Sequence, residues 1–221
     1  MKFISKKEWA FLGGIFVFSF IPLFGGIARL FELAGVGSVL PPNPRVVAVP
    51  APVVIHIFSV IAYCLLGAFQ FLPSLRKHRP SWHRMNGRIV VLSGIVSALS
   101  GLWMTHFYSF PIELQGPLLY WVRILLGPAM AGFIVLAIIE IKKRNIHKHS
   151  AWMIRAYAIG QGASTQVVVT LPWIILYSEP TGLTRDLLMT LAWVINLILA
   201  EYIIRSRKIK LLIFQKPVPA R

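Results

Sequence analysis

Six apolar segments, each about as long as a helix that crosses a bilayer, run through this chain with basic clusters between them. They lie near 9–30, 52–74, 88–109, 117–140, 151–176 and 186–204. In hydrocarbon every backbone N–H and C=O must find its partner within the protein, and a helix achieves this inside one segment. The expected fold is therefore all-α, a polytopic integral membrane bundle of six transmembrane helices. Six spans and short connections use up the 221 residues, so 1–221 is read as a single membrane domain. Charged residues make up 14% of the chain, where a soluble domain carries about 25%. The opening MKFISKKEW and its apolar run resemble a signal peptide, but no small-residue cleavage site follows and the run reaches Arg29 and Glu32. It is expected to remain as the first span.

The formal net charge is +16, and its placement decides its meaning. The bases sit at the ends of apolar segments instead of along one polar element, which argues against nucleic acid as a partner. All but four of the 23 lysines and arginines fall on one side. They occupy the N-terminus (Lys2, Lys6, Lys7), the connection after the second span (Arg76 to Arg88), the connection after the fourth with the start of the fifth (Lys142 to Arg155), and the tail from Arg205. Arg29, Arg45 and Arg185 fall opposite, and Arg123 lies within a span. The positive-inside rule puts both N- and C-termini in the cytoplasm, and an even number of spans agrees. The expected location is the cell inner (plasma) membrane, multi-pass, with anionic lipid headgroups as partners on the cytoplasmic side. The tail ending KPVPAR is expected to be disordered or to lie on the membrane surface. The proline-rich segment 35–52 is expected to be extended and stiff, either a strap over the outer mouth of the bundle or a plain connector.

Within the second span, His56, Ser59, Tyr63, Gly67, Gln70 and Ser74 follow the spacing of one helix face. In lipid such a face turns into the protein or a cavity. His56 lies roughly 6 Å inside the outer end of its span, and His106 has a similar depth in the third. Arg123 enters on the fourth span from the same side, about 9 Å deep, with Tyr120 one turn above it. Two imidazoles on facing helices can ligate a haem iron axially, so haem b held by His56 and His106 is the leading cofactor expectation. Arg123, with Tyr120, could neutralise a haem propionate, or hold a quinone carbonyl, a lipid phosphate or the Glu113 carboxylate. Arg123 could equally snorkel to the interface, and His56 could equally be a buried histidine bonded to a neighbour. His106 stands beside Trp103, Phe107 and Tyr108, off the small-residue ridge of Gly94, Ala98, Gly101 and Thr105.

The basic side carries a second cluster. RKHRPSWHRMNGR holds His78, His83, Arg84 and Arg88, and KKRNIHKHSAWMIRAYA holds His147, His149, Trp152 and Arg155. His83 and His149 could pair as an inner ligand site, while Arg84, Arg88 and Arg155 could bind anionic lipid. The sequence has no nucleophile motif, phosphate-binding loop or HExxH. Two functions from different classes remain. One is a small redox protein that binds b-type haem or interacts with quinone. The other is a non-enzymatic protein that binds anionic lipid or assists membrane-complex assembly.

The stretches HIFSVIAYCLLGAFQFLPSLR, HRMNGRIVVL and IHKHSAWMIRAYA resemble a bacterial family of predicted membrane proteins, the domain of unknown function 2306, over roughly 54–177. That resemblance implies a helical membrane core and names His56, Gln70, His83, Arg84, Gly87, Arg88, His149, Trp152, Met153, Arg155 and Tyr157 as signature positions. It assigns no activity. The six-span layout with histidines on central helices is also loosely similar to cytochrome b561-type proteins. There four ligands lie on four successive spans, whereas the fourth span here has no histidine.

Overall fold

The computed structural model describes residues 4–37 and 39–214, with side chains through Ser206. Lys2, Ser38 of the 35–52 segment, and the final KPVPAR with Lys216 and Arg221 lie outside the described residues, as do the side chains of Arg207, Lys208 and Lys210. The described residues form helices and no strands: α1 (Lys6–Leu33), α2 (Pro44–Ala48), α3 (Pro50–Gln70), α4 (Pro73–His78), α5 (Pro80–Phe107), α6 (Pro117–Lys142), α7 (Ile146–Gly160), α8 (Gly162–Leu176) and α9 (Gly182–Phe214). α1, α3, α5, α6 and the Gly182–Ser206 part of α9 are long and apolar enough to cross a membrane. The bent pair α7–α8 makes a sixth crossing if it counts as one span. Val17, Phe20, Leu92, Leu125 and Ile198 point outward on four of these helices, a surface that suits lipid and not water.

Two of the prolines that suggested an extended strap, Pro44 and Pro50, start helices instead, while Pro41 and Pro42 stand before α2 outside any helix. Pro44, Pro50, Pro73, Pro80 and Pro117 stand in the first turns of α2, α3, α4, α5 and α6. The first turn leaves its N–H groups without intrahelical partners, so a residue lacking one costs nothing there, and its fixed φ is already helical. The second half of the 35–52 segment is therefore α2 and the opening of α3. For the same reason α5 begins at Pro80, not near 88, and carries His83 in its first turn. α3 stops at Gln70, so Ser74 belongs to α4 and leaves the polar stripe. The fifth apolar segment is bent by 45° at Gln161, between Gly160 and Gly162. Gly162 is forced by a close approach, since a Cβ there would sit 2.0 Å from Trp193 Nε1 of α9. At the other end of the chain, α9 continues helical to Phe214, which corrects the expectation of disorder directly after Arg205.

α3 lies along α5, α6 along α7, α9 against α7 and α8, and α1 against α3 and α8. The centre is Tyr63, 1% exposed, whose ring fits between Gly94 of α5 and Gly160 of α7. Small residues let helices approach where lipid supplies no hydrophobic drive. α1 is fixed at its start by a capping box between Ser5 and Glu8, and the second Glu8 oxygen accepts the Ser74 N–H at 2.9 Å. The bundle has two unlike ends. The basic end gathers the starts of α1, α5 and α7 with the ends of α3 and α6. The strap end gathers α2, the starts of α3, α6 and α9, and the end of α5.

Candidate functional site

At the strap end, α3 presents His56 to α5. Its Nδ1 lies 3.1 Å from the Ser97 carbonyl oxygen and 3.1 Å from Ser100 Oγ. Ser100 donates its only hydrogen to the Val96 carbonyl at 2.7 Å, so Nδ1 carries a hydrogen and donates it to Ser97. The ring can lie this close because residue 101 is glycine, where a Cβ would stand 3.3 Å from His56 Cε1. Nε2 has no partner among the described residues. A backbone carbonyl that takes the Nδ1 hydrogen leaves Nε2 as a fixed, bare acceptor or ligand atom.

His56 lines a cavity of about 380 Å³ bounded by α3, α5, α6, α7, α8 and α9. Val53, Val60, Leu102, Leu126 and Met130 supply apolar walls, and Arg123, Gln166 and Trp193 add polar groups. Asn43, Arg45 and Phe110 also contribute, and the Arg45 and Arg123 guanidinium carbons lie 4.6 and 5.7 Å from the Phe110 ring centre. Tyr108 at the end of α5 donates to the Val49 carbonyl at 2.6 Å, which ties α5 to the residue before α3. Burial pushes its phenol above the usual range. A smaller cavity of about 140 Å³ lies beside His56 toward Ser19, Leu23 and Gly26 of α1.

Arg123 Nη1 donates to Gln115 Oε1 at 2.5 Å, so its contact is Gln115 and not the Glu113 carboxylate. Asp186 and Arg185 act on Arg123 electrostatically. Asp186 is 1% exposed and accepts the N–H groups of Gly116 at 3.1 Å and Leu119 at 3.0 Å, so a residue of α9 caps α6. Gly116 is required there, because a Cβ would come within 2.5 Å of Asp186 Oδ2. This start is signalled locally by Gly-Pro at 116–117, but the distant carboxylate that completes it leaves no local signal. Gln166 and Trp193 were not singled out by the sequence, since Gln166 lies beyond the bend in the fifth span and Trp193 reads as one apolar residue among many in the sixth.

The expected outer layer divides into two pairs. His56 and Arg123 share the cavity. His106 is exposed, with Nδ1 3.0 Å from Tyr120 Oη and its ring against Phe107, and neither His106 nor Tyr120 lines the cavity. At the basic end, His149 Nδ1 donates to the Ala137 carbonyl at 2.9 Å and lies within electrostatic reach of His83. His83 Nδ1 is buried without a partner. Arg84 and Arg88 are exposed, and Arg84 donates to Ser81 Oγ at 3.3 Å. Arg155 is engaged: it grips Glu201 with two bonds of 2.5 and 3.0 Å and stands 4.7 Å over the Trp152 ring. Between the ends lies a closed network. Tyr157 donates to the Cys64 carbonyl, Gln161 donates to Tyr157, and Ser19 and Ser164 donate to Gln161 Oε1. Its groups satisfy one another, which marks it as helix-to-helix glue.

A family model described as "Predicted membrane protein (DUF2306)" matches residues 53–204. The match takes in α3 through most of α9, and so both His56 with Arg123 and His83 with His149. No curated protein and no solved structure matches the chain.

Proposed function

The chain belongs to the DUF2306 family of predicted membrane proteins, and from that premise we propose that it is an inner-membrane protein whose strap-end cavity holds the head group of a quinone-type redox amphiphile. The observation that carries this is the shared position of His56 and Arg123 on one cavity with apolar walls. A quinone ring is flat and apolar with an oxygen at each edge. Arg123 can donate to a quinone or quinol oxygen, and His56 Nε2 can accept the hydrogen of a quinol hydroxyl. One donor and one acceptor on apolar walls suit the reduced form best. The volume falls in the range of small-molecule sites. Haem b held by His56 and His106 asks more of the same frame, because His106 is exposed and does not line the cavity that holds His56.

A short-chain benzoquinone is a quencher of tryptophan emission, and Trp193 lines the cavity. Titration of the purified protein should quench that emission saturably. His56→Ala and Arg123→Gln should each weaken binding about tenfold, the worth of one hydrogen bond made in a dry site. Equal binding in both variants and the native protein would overturn the assignment. A Soret band lost in His56→Ala would give the cavity to haem instead. The other function, lipid binding or membrane-complex assembly through Arg84, Arg88 and Arg155, has less support as drawn, because Glu201 already neutralises Arg155.

A further inference from the structure

The basic end holds two buried hydrogen-bonding atoms with nothing to bond. They are Gln70 Nε2, in the last turn of α3, and His83 Nδ1, in the first turn of α5. Each such atom is costly while it stays unpaired, so a pair of them calls for a partner from outside the chain. Gln70 meets α5 at Gly87, and His83 stands on that same face of α5. Gly87 lies one helical turn beyond His83 on the same face of α5, and a Cβ at 87 would meet Gln70 Oε1 at 3.2 Å. Glycine at 87 thus lets the Gln70 amide lie flat against α5, next to the turn that carries His83.

The charge around the crease between α3 and α5 is of one sign. Arg76 of α4, Arg84 of α5 and His149 of α7 all act electrostatically on His83, and among the described residues no carboxylate does. Two of the acids near this end are committed elsewhere, and Glu140, near the end of α6, does not act on His83. Glu8 holds Ser5 and Ser74, and Glu201 holds Arg155. Two unpaired polar atoms inside an uncompensated positive field fit an acceptor-only anion with several oxygens.

We propose that the crease between α3, α4 and the start of α5 is a phosphoryl-anion site, with Gln70 and His83 donating to its oxygens and Arg76 and Arg84 supplying charge. The site lies at the opposite end of the bundle from the quinone-type cavity and does not depend on it. The phosphoryl group comes either from an anionic phospholipid at the membrane surface or from free phosphate, and the chemistry is the same for both.

The test uses the full chain, in detergent and in nanodiscs, read by its thermal unfolding midpoint. Inorganic phosphate in lipid-depleted detergent probes the free anion, against chloride at matched ionic strength. Nanodiscs of phosphatidylglycerol against phosphatidylcholine probe the headgroup. At least one of these comparisons should show stabilisation, and which one does so names the source. Gln70→Leu and His83→Leu should each cut the response tenfold or more in ligand concentration. They should leave the unliganded protein as stable as before or more so, because each removes an unpaired buried atom. A merely structural role would lower the midpoint and spare the response. Arg76→Gln, on an exposed side chain, gives the same reading if His83→Leu fails to fold, and Arg155→Ala should respond as the native chain does. Two results overturn the site: no response beyond chloride and phosphatidylcholine, or full responses in Gln70→Leu and Arg76→Gln.

Discussion

The two ends of this bundle handle charged groups in different ways. At the strap end Arg123, Arg185 and Asp186 have each found a hydrogen-bonding partner. Arg123 binds Gln115, Arg185 donates to the Leu114 carbonyl, and Asp186 takes two backbone N–H groups of α6. What remains there is a cavity with largely apolar walls that His56 and Arg123 also line. At the basic end the charges are more numerous and less well matched, and Gln70 and His83 keep buried atoms unpaired. Polarity alone therefore says little about a site in a membrane bundle. A group already satisfied by its neighbours holds helices together, and a group left open is where a ligand can act. His56 and His106 differ within one end in place, since one lines a cavity and the other stands exposed beside Tyr120.

If satisfied groups are structural, removing one should cost stability, and the largest cost belongs to Asp186. Asp186→Ala strips the cap from Gly116 and Leu119 and removes a counter-charge near Arg123. It should destabilise the fold by about 3 kcal/mol, measured by reversible unfolding in mixed detergent. Gly116→Ala should move in the same direction by about 1–3 kcal/mol, because the new Cβ displaces the carboxylate. A mild effect of both would mean that the strap end is held by apolar packing, and the contrast between the ends would lose its basis.

The next largest effect is on binding. His56→Ala should cost about tenfold in affinity for a short-chain quinone, some 1.4 kcal/mol, while His106→Ala leaves the affinity unchanged. Equal losses would mean that exposure and the Tyr120 bond do not keep His106 out of the site. They would return the outer histidines to a common ligand.

Much of the fold was legible because the apolar segments are long and the period of the α3 stripe is clean. Tyr63 and Gly67 fall inward as that period requires, and Gly94, Ala98, Gly101 and Thr105 form the ridge of α5 that meets α3 and its neighbours. Helix starts were the weak point. Proline reads as an interruption in a sequence window, yet the same ring geometry makes it the favoured first residue, and only the structure shows which role it plays at Pro44 and Pro80. The bend at Gln161 was hidden because two glycines inside an apolar run suggest close packing as readily as a break. In the site, the polar stripe of α3 pointed His56 inward, but the depth of His106 was not readable, since it stands next to the last residue of α5. A heptad of stripe separates inward from outward on α3, whereas His106 had no polar neighbour in register to orient it. Pairings between distant segments, Asp186 with α6 and Glu201 with Arg155, leave no local pattern at all.

The smallest expected effect tests the basic end from its satisfied side. Arg155 and Glu201 form a two-bond pair across α7 and α9, with side chains 22% and 38% exposed. The geometry is favourable, and the guanidinium also covers Trp152. Partial exposure works against this, because water and salt screen the pair and two long side chains lose freedom in holding it. Arg155→Ala should therefore cost only about 0.5 kcal/mol, and less at high ionic strength. Glu201→Gln should cost no more, and the double variant should show a coupling of similar size. The sign of the salt dependence matters more than the magnitude. If Arg155→Ala weakened retention of phosphatidylglycerol as well, the arginine would be serving a headgroup in addition to Glu201. The boundary between structural and ligand-ready cations would then shift from the α3–α5 crease to the start of α7.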